Sequence, residues 1–292
     1  QYQTTKKGVQ IMDKYPVLKF DSLKHMQSEI KANNWEYSDK NRDKKWRYGK
    51  HFDTYDTHMQ ALNHGRTTPT LLAHYKRIRK LLESKVKVNN IKGMGMSCKR
   101  KRKFVDDGDE VDIDRYLTNS DTPWTITKRN KKAKRIVLAI NFSLSADNNE
   151  ASYAKVVSAG AFLADVLNKL GYAVEIIGTS SNGYSGRKDY ESTCVAITFK
   201  ESGRKLDVQR ILSMGLSGLH RTLVFGIREK LWKYNSTMGY QQMMPTEIKE
   251  KLGISYVVQQ SIVKDEKKMI DEFQRVITGL VEKKDARTME WL

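Results

Sequence analysis

Residues 136–140 read Ile-Val-Leu-Ala-Ile, an unbroken apolar run directly behind the basic cluster KRNKKAKR of residues 128–135. A half-exposed strand alternates apolar and polar residues; a run like this predicts a strand buried on both faces, as in a parallel sheet. Residues 151–170 then repeat apolar side chains at helical spacing, through Val156, Val157, Ala159, Phe162, Leu163, Val166, Leu167 and Leu170, and Gly171 supplies a stop. YAVEIIGTSS (172–181) is a second strand and STCVAITFKES (192–202) a third. A short helix is expected at 207–214, an aromatic-rich helix at 219–234 and a strand at 254–260. A closing helix is expected at 264–284, with Met269, Ile270, Phe273, Val276, Ile277 and Leu280 inward. This order predicts an α/β fold: a Rossmann-like, mostly parallel sheet covered by helices on both faces.

Upstream the pattern changes. Residues 1–16 are polar and aperiodic, a disordered tail. Residues 17–95 read as a basic, mainly helical region. Asp21 or Ser22 caps a helix carrying Leu23, Met26 and Ile30. A short helix follows within 52–65 and ends at Gly65. A longer one spans 67–85, with Pro69 in its first turn and Leu71, Leu72, Tyr75, Ile78, Leu81 and Leu82 as its apolar stripe. Residues 96–134 read as a charged linker or arm, holding a run of five cations, the acidic run DDGDEVDID (106–114), Trp124 and a second basic cluster. The α/β domain is expected over 135–292.

Charge points to the kind of partner. The 292 residues carry a formal net charge of +19, and residues 1–135 hold 32 of the 53 basic but only 16 of the 34 acidic residues. Nearly all the excess therefore lies in the first half, which predicts a polyanion partner there and a different task for the second half. The candidate nucleic-acid contacts are Lys44, Lys45 and Arg47 around Trp46; Lys76, Arg77, Arg79 and Lys80 on the long helix; Lys99, Arg100, Lys101, Arg102 and Lys103; and Lys128, Arg129, Lys131 and Lys132. Cations neutralise phosphates, and aromatic residues among them stack on unpaired bases. The sequence leaves DNA and RNA equally open as the partner.

Other chemistry is thinly represented. No phosphate-cradling glycine loop, HExxH or GxSxG motif is present. No apolar stretch approaches the ~18–20 residues of a membrane span, and with no apolar run near Gln1 a secretory signal is not expected. Two cysteines, Cys98 and Cys194, do not make a disulfide framework, so a reducing, intracellular setting is expected. Cys98 stands beside five cations, which would lower its pKa if exposed, but no base or substrate pocket accompanies it. His25, His51, His58, His64 and His74 lie in the first half without the spacing of a zinc site.

The end of the first strand carries a resemblance. Asn141-Phe-Ser143-Leu-Ser145 after the apolar run, the long helix and VEIIGTSS resemble the opening of a von Willebrand factor A (VWA) domain. That family places D-x-S-x-S at this strand end as part of a metal-ion-dependent adhesion site. The resemblance implies a site at Asn141, Ser143 and Ser145, with Thr179, Thr222 and Asp189 as candidates for a later Thr and a later Asp. Asn141 stands where the family has its first Asp, so the implied site is degenerate, and no cofactor is expected beyond weak Mg²⁺. GAFLADVLNKLGYAVEIIGTSS is similar to the VWA domain of cobalt-chelatase-type subunits, which work beside an AAA+ ATPase. FDSLKHM (20–26), FDTYDTHMQALNHG (52–65), GDEVDIDRYL (108–117), residues 141–176 and HRTLVFGIREKL (220–231) resemble a family of tailed-bacteriophage proteins of unassigned function.

Together these features lead to an expectation of a non-catalytic phage protein, located in the host cytoplasm or the virion. It would join phosphate-backbone binding to a VWA-like platform for a phage or host protein. The alternatives are a chelatase-like accessory subunit engaging an AAA+ ATPase, and a virion structural component.

Overall fold

The computed structural model describes residues 15–35, 47–48, 51–52, 54–86, 101–105, 110–111, 115, 117–118, 124–128, 134–143, 150–183, 192–232, 240–241 and 243–289. Its architecture is Rossmann-like α/β. The main sheet runs β1 (Val17–Phe20), β7 (Ser192–Lys200), β6 (Ala173–Gly183), β5 (Arg135–Asn141), β9 (Tyr256–Val258), and the two-residue β8 (Tyr240–Gln241) pairs with the far end of β6. The expected first strand is interior: β5 lies between β6 and β9, parallel to both, and residues 136–140 are buried.

β7 and its neighbour β1 run against β6, β5 and β9 for a physical reason. Only eight residues separate β6 from β7, too few for the helical crossover that parallel neighbours need, so the two pair antiparallel. β1 then pairs parallel to β7, with Val17 opposite Cys194 and Phe20 opposite Ile197. This edge strand was not expected. Its four residues, VLKF, are too few and too mixed to announce a strand without their neighbour.

The helices explain why the first half is not a loose attachment. The central helix α4 (Glu150–Lys169) is buried on nearly every side from Tyr153 to Leu167, where the sequence pattern indicated a single apolar stripe. A helix that is apolar all round needs cover on both sides. The sheet covers one side of α4, so closely that a Cβ on Gly160 would fall 2.5 Å from Ile140 Cδ1. On its other side α4 packs against α3 (Pro69–Lys85), which presents Leu71, Tyr75, Ile78 and Leu82. Thr68 caps α3, its hydroxyl accepting from the Leu71 N–H at 3.2 Å, and Pro69 occupies the first turn as expected.

Helices α1 (Leu23–Asn33) and α2 (Tyr55–Asn63) extend the same core through Met26, Ile30, Met59 and Leu62. Ser22 and Thr54 are their N-caps, and α2 ends where Gly65 takes φ +62°. Residues expected to precede the α/β domain thus supply it with an edge strand and an outer helical layer. Among the described residues, the opposite sheet face is covered by Met244 and by Ile248 and Leu252 of α7 (Thr246–Leu252).

The remaining described helices are α5 (Val208–Leu212), α6 (Phe225–Trp232), α8 (Gln260–Val263) and α9 (Glu266–Met289). The stretch expected as one aromatic helix is helical without a break from Ser217 to Trp232, but residues Leu219–Val224 form a π-helical turn that leads into α6. Met269, Phe273 and Ile277 of α9 are buried as expected.

Within the segment expected as a linker or arm, a second sheet forms. β2 (Lys101–Val105), β4 (Trp124–Lys128) and β3 (Glu110–Val111) make an antiparallel ladder with β4 in the middle. The cation run hid it, because Lys and Arg do not mark a strand by hydrophobic alternation.

Candidate functional site

The carboxyl end of β5 is where open α/β sheets receive ligands. Asn141 is buried there, with both functions of its amide engaged. Its Oδ1 accepts from the Ser143 N–H at 3.1 Å, and its Nδ2 donates to Ser181 Oγ at 2.9 Å. The Phe142 N–H donates to the Thr179 carbonyl at 2.9 Å, carrying the β5–β6 pairing one residue further. Asn141 therefore ties the departing chain to β6. Thr179 and Thr222 each keep a buried hydroxyl without a hydrogen-bond partner among the described residues. Ser145 and Asp189 lie outside the described residues.

As a site for a hard divalent cation these donors fit poorly. They are neutral, and the Asn141 oxygen already accepts from backbone. Among the described residues no group of three or more His, Cys, Asp or Glu is gathered to hold a metal.

On the helix-covered face of the same strand end the structure assembles side chains that sequence reasoning did not single out. Arg228 of α6 is fully buried; its Nη2 donates to the Ser180 carbonyl at 2.7 Å and to Ser180 Oγ at 2.9 Å. Its Nη1 lies 3.4 Å from His220 Nε2, and His220 Nδ1 lies 3.0 Å from the Tyr153 hydroxyl. The Arg221 guanidinium sits 5.8 Å from the centroid of the Tyr153 ring, within cation–π range.

The protonation of this group follows from its neighbours. Burial, then the charges of Arg228 and Arg221, hold the His220 pKa well below its usual value, so the ring is neutral. A guanidinium only donates, so Nε2 is the acceptor and Nδ1 carries the proton toward Tyr153. Burial pushes the Tyr153 hydroxyl up to about 12. Phe225 and Phe142 pack edge-on against the imidazole at 4.8 and 6.1 Å. The chain Ser180–Arg228–His220–Tyr153 thus pins β6, the π-helical turn, α6 and α4 to one another. A signal for it existed in the sequence: Arg221 and Arg228 stand seven residues apart, on either side of the largely apolar run 222–227. Two cations at helical spacing beside a largely apolar run call for partners once that run is buried.

The basic candidates fall in different places. Lys76 and Lys80 are exposed on α3. Arg77 pairs with Glu266 of α9 at 3.2 Å, and Arg79 pairs with Glu83 at 2.7 Å, so two of the four α3 cations already face carboxylates. Arg47 is half-buried, and its carbonyl accepts from Ser217 Oγ at 3.4 Å. Lys101, Arg102 and Lys103 are consecutive residues of β2, and Lys128 ends β4 directly opposite Lys101. Lys44, Lys45, Trp46, Lys99, Arg100, Arg129, Lys131 and Lys132 lie outside the described residues, as does Cys98.

The histidines disperse. His25 sits between Asp21 and Glu29, at 3.6 and 3.9 Å, and His51 Nε2 lies 3.2 Å from Thr70 Oγ1. His58 is buried against Tyr48 and Phe52, with neither ring nitrogen hydrogen-bonded among the described residues. A Cβ on Gly218 would fall 2.4 Å from the His58 ring, so this histidine packs directly beneath the entry to the π-helical turn. Burial lowers its pKa to about 4. Cys194 is buried in β7, its thiol pushed up to about 12, which makes it inert as a nucleophile.

No helix of the described residues is long and apolar enough to cross a membrane. No curated protein and no solved structure matches the chain. The model of one family, a domain of unknown function (DUF7192), matches residues 3–283, nearly the whole length described above, and the chain belongs to that family.

Proposed function

We infer that this protein binds nucleic acid through its phosphate backbone, using the basic surface of its first half, while the α/β core presents a VWA-like face to a phage or host protein. The observation that carries this reading is the placement of Lys101 directly opposite Lys128 in the β2–β4 pair, with Lys103 two residues along. Like charges facing each other across a ladder destabilise it. A polyanion laid over them removes that repulsion and releases its own counterions. The exposed Lys76 and Lys80 add cations on α3.

The core supports the platform half of the reading. Its buried cations are spent on internal bonds, as Arg228 is on Ser180, and His220 has both ring nitrogens engaged away from solvent. This favours a scaffold over a reaction centre. It also favours a non-catalytic role over the chelatase-like alternative, which calls for a working cation site at Asn141 and Ser143.

A filter-binding titration of the whole chain across salt concentrations tests the proposal. If about five phosphates are neutralised, log affinity falls against log salt with a slope of about −4 to −5 on a duplex and less steeply on a single strand. A chain that binds neither form at low salt refutes it.

A further inference from the structure

Resting on that reading, the register of the small sheet specifies which form of nucleic acid it suits. In an antiparallel pair, opposite residues share a face, and the same face returns every second residue. Lys101 stands opposite Lys128, Lys103 opposite Ile126, and Val105 opposite Trp124; β3 sets Val111 against Trp124 from the other side. One face therefore grades from three lysine positions at one end to a tryptophan position among aliphatic ones at the other. β2, β3 and β4 pack chiefly on one another, and no other described element makes a comparable contact with them.

A tryptophan position in register with cation positions on one face of a ladder suits a ligand with both charge and exposed aromatic faces. A duplex offers phosphates but keeps its base faces stacked inside; an unpaired strand offers both. Acidic peptides supply charge without the bases. We propose that this face of the β2–β4–β3 ladder binds single-stranded nucleic acid, phosphates at positions 101, 103 and 128 and a base stacked at Trp124.

The test uses the full chain and two labelled probes, an oligothymidylate of about 16 nucleotides and a duplex of the same length. Trp124→Ala should weaken single-strand binding by about fivefold to a hundredfold and leave duplex binding within about twofold. Trp124→Phe keeps an aromatic face and should restore most of the loss, which separates stacking from misfolding. Lys101→Gln, Lys103→Gln and Lys128→Gln together should flatten the salt slope by about two to three on either probe. Single-strand affinity unchanged by Trp124→Ala overturns the proposal, as does loss that Trp124→Phe does not restore, or a preference for duplex. If the chain binds nucleic acid but ignores all ladder variants, this inference fails and the broader reading stands. If it binds neither probe at low salt, the broader reading has failed.

Discussion

At the end of the main sheet Arg228 is fully buried, bonded to Ser180 and set against His220, with Arg221 close by over Tyr153. On the ladder and on α3 the cations are arranged otherwise: Lys101 faces Lys128 across a strand pair, and Lys76 and Lys80 stand in water. The contrast teaches that net charge is a poor guide to a basic residue's task. In the core a guanidinium, with several fixed donors and weak hydration, joins elements that would otherwise separate. On the outside an ammonium group costs nothing to leave solvated and stays available to a polyanion.

The largest expected effect tests the buried side. Arg228→Met removes the donor to the Ser180 carbonyl and the neighbour of His220, stranding buried polar groups, and should cost about 3 kcal/mol in urea unfolding. A cost under about 1 kcal/mol would erase the distinction between the two sets of cations.

Acid offers a second test, at the contact between α2 and the π-helical turn. Folded His58 titrates at about 4 against a usual value of 6.5, so between those pH values the unfolded chain binds more protons than the folded one. Stability is therefore fully present above pH 6.5 and is lost as pH falls toward 4, by about 3 kcal/mol. Buried His220 acts with the same sign. His58→Leu should flatten this acid slope in pH-dependent melts; an unchanged slope would place its origin elsewhere.

A smaller change sharpens the comparison at the strand end. Asn141→Asp keeps an acceptor for the Ser143 N–H and can accept from the Ser181 hydroxyl, but it buries a carboxylate, so stability should fall by about 1–3 kcal/mol. Calorimetry should find no micromolar Mg²⁺ binding by the native chain and stronger binding by the variant. Micromolar affinity in the native chain would put the chelatase-like alternative ahead of the non-catalytic reading.

The smallest stability effects belong to the surface. Lys76→Ala and Lys80→Ala should each move the unfolding midpoint by less than about 0.5 kcal/mol. Each should still reduce the salt slope of nucleic-acid binding by about one unit. Variants that destabilise without touching the slope would reverse the roles assigned to the two regions.

Much of the fold was legible without coordinates, because it follows from local periodicity. Ile136–Ile140 could only be a doubly buried strand, and the helix behind it, its Gly171 stop and the next strand followed from spacing. Ser22 and Pro69 announce helix starts because cap and first-turn chemistry is local. Val17–Phe20 was not legible, since a four-residue edge strand exists only through its pairing with β7. Nor was β2, whose five residues open with three cations.

The site divides along the same line. The sequence by itself determined that cations crowd the first half, that Asn141 replaces a carboxylate in the resembled motif, and that Arg221 and Arg228 flank a largely apolar run. Only the tertiary structure decided which cations are internal. Arg228 meets Ser180 across 48 residues, His220 meets Tyr153 across 67, and Lys101 meets Lys128 through a strand register. The physical reason is that charge and propensity belong to a residue, whereas burial and partnership belong to the packed chain: the same positive group is a buried cross-link or a free contact according to what folds around it.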